Sequence, residues 1–221
     1  MLNLINTSRR DFNTMRTLEI LFWIFSFLVF YTFIGYGILL YFVVKIKEFI
    51  YKDSNTTKRR SEELPVVTLL IAAYNEEEVV VQKMSNCQSI DYPKGKLKIV
   101  WVTDGSDDNT NKILSLYKDV RLLFQPKRLG KTAALNRAIP LLDTSIIIFT
   151  DANTLLNPDA VSVIVGAFND PNVGCVAGEK RISSDKKDNA SSGGEGIYWM
   201  YESKLKDLDS RLYSAAGAAG E

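Results

Sequence analysis

A chain of 221 residues with 46% apolar and 24% charged content has room for one well-filled core plus an appendage, and is neither disordered nor a disulfide-stapled mini-domain. It holds no histidine, which excludes histidine triads, histidine zinc sites and histidine acid–base pairs and leaves chemistry to carboxylates, hydroxyls and lysines. The net charge of +1 conceals an asymmetry: residues 1–60 carry nine Lys/Arg against four Asp/Glu, and residues 61–221 eighteen against twenty-two, so the acidic second part argues against a nucleic-acid partner held through phosphate contacts.

Along the chain, an N-terminal segment (1–19) precedes an uncharged run of 25 residues, Ile20–Val44, long enough to cross a bilayer. A cleavable signal peptide is the rival, but its apolar core is shorter, about 7–15 residues, and no Ala-x-Ala-like site follows here. Lys45, Lys47, Lys52, Lys58, Arg59 and Arg60 on the downstream side outnumber Arg9, Arg10 and Arg16 upstream, so this stretch is expected to cross the membrane once and the positive-inside bias predicts its second part to be cytoplasmic. A basic juxtamembrane linker (45–64) leads to a domain spanning 65–221.

Within that domain, strand-like apolar runs at Val66–Ala73, Leu97–Thr103, Val120–Gln125, Ser145–Thr150 and Val173–Ala177 alternate with helix-compatible segments. This rhythm predicts an α/β fold with a mainly parallel sheet flanked by helices, its ligands at the carboxyl ends of the strands. Ile146–Phe149, apolar throughout, reads as a central strand buried on both faces. The polar stretch Ser183–Gly196 reads as a loop. Cys87 and Cys175 lack metal-ligand spacing and read as structural thiols in a reducing compartment.

The strand ends carry the chemistry. Ala73-Tyr74-Asn75-Glu76 closes the first, and the acidic run there also fits a plain helix-start charge bias. Asp104-Gly105-Ser106 closes the second, with Gly105 permitting the turn and the Asp104 carboxylate free to accept a ligand N–H or O–H. Gly130-Lys131-Thr132 lacks the glycine of a phosphate loop, since Gln125 stands in its place. What remains is a basic cluster, Lys127, Arg128 and Lys131, at a helix start suited to a diphosphate. Asp151-Ala152-Asn153 sets two oxygen-bearing side chains at a strand end, able to approach one hard cation or to form a simple turn before Asn157-Pro158.

Taken in order, these segments resemble the family-2 glycosyltransferases of the GT-A fold. The likeness is to the membrane-bound branch that includes the cellulose, chitin, hyaluronan and poly-N-acetylglucosamine synthases. The resemblance covers about residues 64–221. It implies a nucleotide-sugar site formed by Ala73, Tyr74, Glu76, Asp104, Lys131 and Asp151, with Gly130, Ala134, Leu135 and Asn136 completing the basic element. It implies a divalent metal, Mg²⁺ or Mn²⁺, on Asp151 and Asn153, the latter standing where an aspartate is commoner. The implied reaction is metal-dependent inverting transfer from a nucleotide-sugar, a UDP-sugar by expectation, to a glycan or lipid-linked acceptor at the membrane. Relatives carry the acceptor-activating carboxylate and a Gln-x-x-Arg-Trp element further along. The base is therefore expected beyond Glu221, with Glu195, Glu202 and Glu221 as stand-ins, and the chain is expected to be the front part of a longer enzyme, inactive alone. A nucleotide-binding membrane module without turnover and a nucleotidyltransferase remain the alternative readings.

Overall fold

The computed structural model describes residues 2–50, 63–179 and 190–214, with side chains for 14–50, 63–179 and 198–214. The chain divides into two compact units, one formed by Met1–Asn55 with Gly178–Ala218 and the other by Thr56–Ala177 with Ala219–Glu221.

In the first unit the apolar run is helical and the helix extends beyond it on both sides. Helix α1 (Leu2–Phe30) passes through a π-helical turn (Tyr31–Gly35) into α2 (Tyr36–Ile50). The Thr32 hydroxyl donates to the Leu28 carbonyl at 2.7 Å within this stretch. One helix, Thr14–Ile50, is long and apolar enough to cross a membrane. Phe22, Trp23, Phe27, Phe33 and Phe42 are all exposed on it. Helix α7 (Ala190–Leu212) packs on α2, with Leu40 and Val44 buried against Leu208. Tyr201 Oη donates to the Phe33 carbonyl and Tyr36 Oη to Asp209 Oδ1, each at 2.7 Å. Gly37 permits the approach, since a Cβ there would lie 2.9 Å from Tyr201 Oη. The loop expected over Ser183–Gly196 is corrected in its last part: the backbone is already helical at Ala190, and the earlier residues of that stretch lie outside the described set. A Gly-rich, polar stretch lowers helix propensity, yet here it opens a helix whose later turns supply the packing.

The second unit is a four-stranded parallel sheet in the order β3-β2-β1-β4, from β1 (Val67–Ala73), β2 (Leu97–Asp104), β3 (Val120–Gln125) and β4 (Ile146–Asp151). Four of the five expected strands form. The fifth does not: Val173–Ala177 takes no strand conformation and, among the described residues, has no ladder partner. Side chains alternate along β1. Val67, Leu69, Ile71 and Ala73 pack with Val80, Met84 and Cys87 of α3 (Val80–Gln88), Leu114 of α4 (Thr110–Leu114) and Val161 and Val165 of α6 (Ala160–Ala167). Leu70 faces the other way, onto Val100, Val102, Ala134 and Ala138, the last two from α5 (Lys131–Ala138). Both faces of β1 are thus buried, as a parallel strand between helical layers requires.

The central place expected for Ile146–Phe149 is also corrected. Within the described sheet β4 lies at the edge beside β1, and Phe149 remains 44% exposed. Ile146, Ile147 and Ile148 are apolar because helices cover both their faces, which does not require a strand on each side. The strand order reverses between β1 and β4, a topological switch point of the kind where α/β sheets open a crevice.

Candidate functional site

The parallel register brings the chemistry-bearing strand ends to one edge of the sheet. Ala73 pairs with Thr103, Ala72 with Asp151 and Asp104 with Gln125, so the loops after β1, β2, β3 and β4 leave from one level.

The first two loops are laced together. Asn75, among the described residues the one non-glycine at positive φ (52°), suits the left-handed region because its short amide can bond locally. Its Nδ2 donates to Asp107 Oδ1 at 2.6 Å while its Oδ1 accepts from the Asp107 N–H at 3.1 Å. The Glu76 N–H donates to Thr110 Oγ1 at 2.9 Å and the Glu77 N–H to Asp108 Oδ2 at 3.1 Å. Glu76 and Glu77 therefore lie in the turn before α3, not in its first helical turn. Burial pushes the Glu76 carboxyl above the usual carboxylate range, and the charges of Asp151 and Asp108 add to the effect.

Asp104 is buried at the end of β2, and its Oδ2 accepts from the backbone N–H groups of Leu129 and Gly130, at 2.7 and 2.6 Å. Its Oδ1 is buried with no hydrogen-bond partner. Gly105 (φ 74°) allows this loop to close, because a Cβ there would stand 2.7 Å from the backbone nitrogen of Arg128. Arg128 is thereby fixed beside Tyr74, and its guanidinium lies 3.7 Å from the Tyr74 ring centroid, a cation–π stack. Lys131, at the start of α5, reaches Asp151 Oδ1 at 2.6 Å.

The structure thus gathers Ala73, Tyr74, Glu76, Asp104, Lys131 and Asp151 at one end of the sheet. Asn153 lies on the same turn as Asp151, exposed, its Oδ1 accepting from the Thr154 hydroxyl at 3.5 Å. Asn136 is exposed on α5. Among the described residues no three His, Cys, Asp or Glu side chains form a ready metal cage. Of the stand-in carboxylates, Glu202 pairs with Lys206 at 2.8 Å within α7, while the side chain of Glu195 and all of Glu221 lie outside the described residues. Cys87 is buried, which pushes its thiol up and makes it inert, and Cys175 is exposed.

Two residues of this region, Lys83 and Asn86, escape a reading of the sequence, and Arg128 is legible only as a member of the basic cluster. Arg128 has its role through the long-range stack on Tyr74. Lys83 and Asn86, on α3, hold the turn after β4. The available signal is a lysine between Val80 and Cys87 on the apolar face of a short helix, where a charge needs a partner.

Residues 68–219 match the family model described as Glycosyl transferase family 2. Among curated relatives, the poly-beta-1,6-N-acetyl-D-glucosamine synthase of Staphylococcus epidermidis is 31% identical over 168 residues, which is 72% of this chain and 40% of that protein. The beta-monoglucosyldiacylglycerol synthase of Trichormus variabilis is 30% identical over 170 residues, 74% of this chain and 35% of that protein. The chain therefore spans 40% or less of the length of these relatives. A mannosyltransferase from Pyrobaculum calidifontis, PcManGT, solved in complex with GDP-Man and Mn²⁺, aligns at a TM-score of 0.54 and 23% identity over 79% of this chain and 50% of its own. That likeness concerns the fold. With the matched family model and relatives above 30% identity, the doubly wound sheet and its gathered strand ends identify the chain as a member of glycosyl transferase family 2.

Proposed function

We propose that this chain holds the donor site of a membrane-anchored glycosyltransferase that moves a sugar from a UDP-sugar to the hydroxyl of a glycan or lipid-linked acceptor, with inversion. The observation that carries the reading is Asp104: one carboxylate oxygen builds the loop and the other is a buried acceptor without a donor. Such an atom is costly unless a ligand N–H meets it, and the imide N–H of uracil is such a donor. Tyr74 supplies a ring for the base to stack on. Entry of a base onto the face now covered by Arg128 requires that guanidinium to move off.

The residues at the diphosphate position fit a divalent cation of the Mg²⁺ or Mn²⁺ kind. Such ions take one or two carboxylates and complete their shell with phosphate oxygens and water, so a lone Asp151 with the Asn153 amide is sufficient and a preformed cage is not needed. Lys131, now paired with Asp151, is the cation already at hand to meet the leaving diphosphate, together with the N-terminus of α5. A bound cation would supply charge neutralisation of that leaving group. Calorimetry on the detergent-solubilised chain with Mn²⁺ tests the reading: UDP is expected to bind well ahead of GDP and ATP, and no preference for UDP would overturn the nucleoside assignment.

The domain organisation proposed is a transmembrane helix at 20–44, a basic linker at 45–64 and the transferase domain from 65 onward, on the cytoplasmic side where sugar nucleotides are found. Its support is the long apolar helix and the excess of Lys/Arg after it. A fluorescent protein fused after Glu221 should therefore fold and fluoresce, while alkaline phosphatase at the same position should be inactive. The reverse pattern would invert the topology.

A further inference from the structure

Lys83 is fully buried in the second unit, and the donor site makes no direct use of it. Its ammonium donates to Thr150 Oγ1 at 2.9 Å and to the Thr154 carbonyl. These two residues immediately precede Asp151 and follow Asn153, so one buried cation grips the turn at both flanks. Three residues along the same helix, the Asn86 side chain donates from Nδ2 to the Leu156 carbonyl at 2.8 Å and accepts the Leu156 N–H on Oδ1 at 2.9 Å. That pair of bonds imitates a rung of a β-ladder and fixes the chain just beyond the turn. The turn closes on itself through the Thr154 N–H to the Asp151 carbonyl at 3.3 Å.

An apolar residue of lysine's length would fill the same volume between Val80, Met84 and Cys87 without the desolvation that a buried charge entails. Burial indeed pulls the Lys83 pKa down, and the charge of Asp151 opposes that pull. The helix that carries Lys83 begins directly after the Tyr74–Glu78 loop, so it joins the two halves of the candidate donor site. We propose that Lys83 and Asn86 are positioning residues for the Asp151–Asn153 turn, holding its backbone in the one shape that offers both side-chain oxygens to a diphosphate-bound cation. This rests on the reading of that turn as the cation site.

The test uses the full chain in detergent, with calorimetry of UDP in Mn²⁺ and of UDP in EDTA. Outer-shell residues of metal sites typically control roughly ten- to a hundredfold in affinity. Lys83→Met is expected to weaken UDP binding in Mn²⁺ by about tenfold or more, leave UDP binding in EDTA within about twofold, and leave thermal unfolding cooperative. Asn86→Ala, at a partly exposed position, should show the same selective loss at smaller size, and it carries the test if Lys83→Met fails to fold. Unchanged affinity in Mn²⁺ for both variants, or losses that run in parallel in Mn²⁺ and EDTA, would overturn the positioning role. A wild-type chain that binds no UDP in Mn²⁺ would overturn the donor reading, and this inference with it.

Discussion

Replacing Asp104 with asparagine is expected to leave the sheet folded while lowering UDP affinity by about a hundredfold, the equivalent of ~2.8 kcal/mol. The two carboxylate oxygens have separate duties. Oδ2 accepts from Leu129 and Gly130, and the single oxygen of an asparagine can take over that duty with no change of shape. The amide NH₂ would then stand where Oδ1 now stands, turning a buried acceptor into a donor. Facing the N–H of a base, donor meets donor, and each buried polar group left without a partner costs ~1–3 kcal/mol. Asp104→Ala discriminates less, because it also releases the loop that positions Arg128 over Tyr74. Calorimetry with UDP in Mn²⁺, with thermal unfolding as the check on folding, reads the effect. A well-folded Asp104→Asn chain that binds UDP like the wild type would remove Asp104 from the nucleoside site.

Much of the second unit was legible because parallel strands between helices read as short apolar runs at regular intervals, and the ends of those runs mark the ligand edge. Ala73, Asp104 and Asp151 lie at the ends of such runs, and the ladders of β1 with β2 and β4 and of β2 with β3 set those ends level, whereas Tyr74 and Lys131 were joined to them through the family resemblance. Apolarity did not report strand position. Ile146–Ile148 is as apolar as a central strand because it packs into the cores on both faces, yet the outer edge of the strand is free among the described residues and Phe149 is exposed. Val173–Ala177 has the composition of a strand and, among the described residues, no neighbour to pair with, and pairing is a long-range property that a local window does not contain. The same limit hid Lys83, whose partners Thr150 and Thr154 come from β4 and the turn after it, 67 and 71 residues away. Arg128 was legible as a cation near a diphosphate and became a neighbour of Tyr74 only through the turn that Gly105 permits.

Asp151→Ala should erase the metal dependence of UDP binding, so that affinity in Mn²⁺ falls to the value in EDTA. Asp151 ends β4, is partly buried, and its Oδ1 lies 2.6 Å from the Lys131 ammonium. A diphosphate brought beside Asp151 and Glu76 without a cation sets like charges together where screening is incomplete. Two unit charges 4 Å apart at an effective dielectric of about 20 repel by ~4 kcal/mol, and Glu76 already feels Asp151 in the direction of its shift. Removing Asp151 deletes the carboxylate proposed to hold a cation on that diphosphate and with it the ion pair to Lys131. Affinity in EDTA should therefore rise slightly or stay level while affinity in Mn²⁺ collapses. Asn153→Asp acts in the opposite sense. It adds a second carboxylate to the turn at little steric change, which should tighten Mn²⁺-dependent UDP binding several-fold and, by added repulsion, weaken binding in EDTA. The two substitutions thus move the Mn²⁺-to-EDTA affinity ratio in opposite directions, a pattern that a general loss of structure does not produce. UDP affinity indifferent to EDTA and to both substitutions would leave Asp151-Ala152-Asn153 as a connection between β4 and α6 and nothing more.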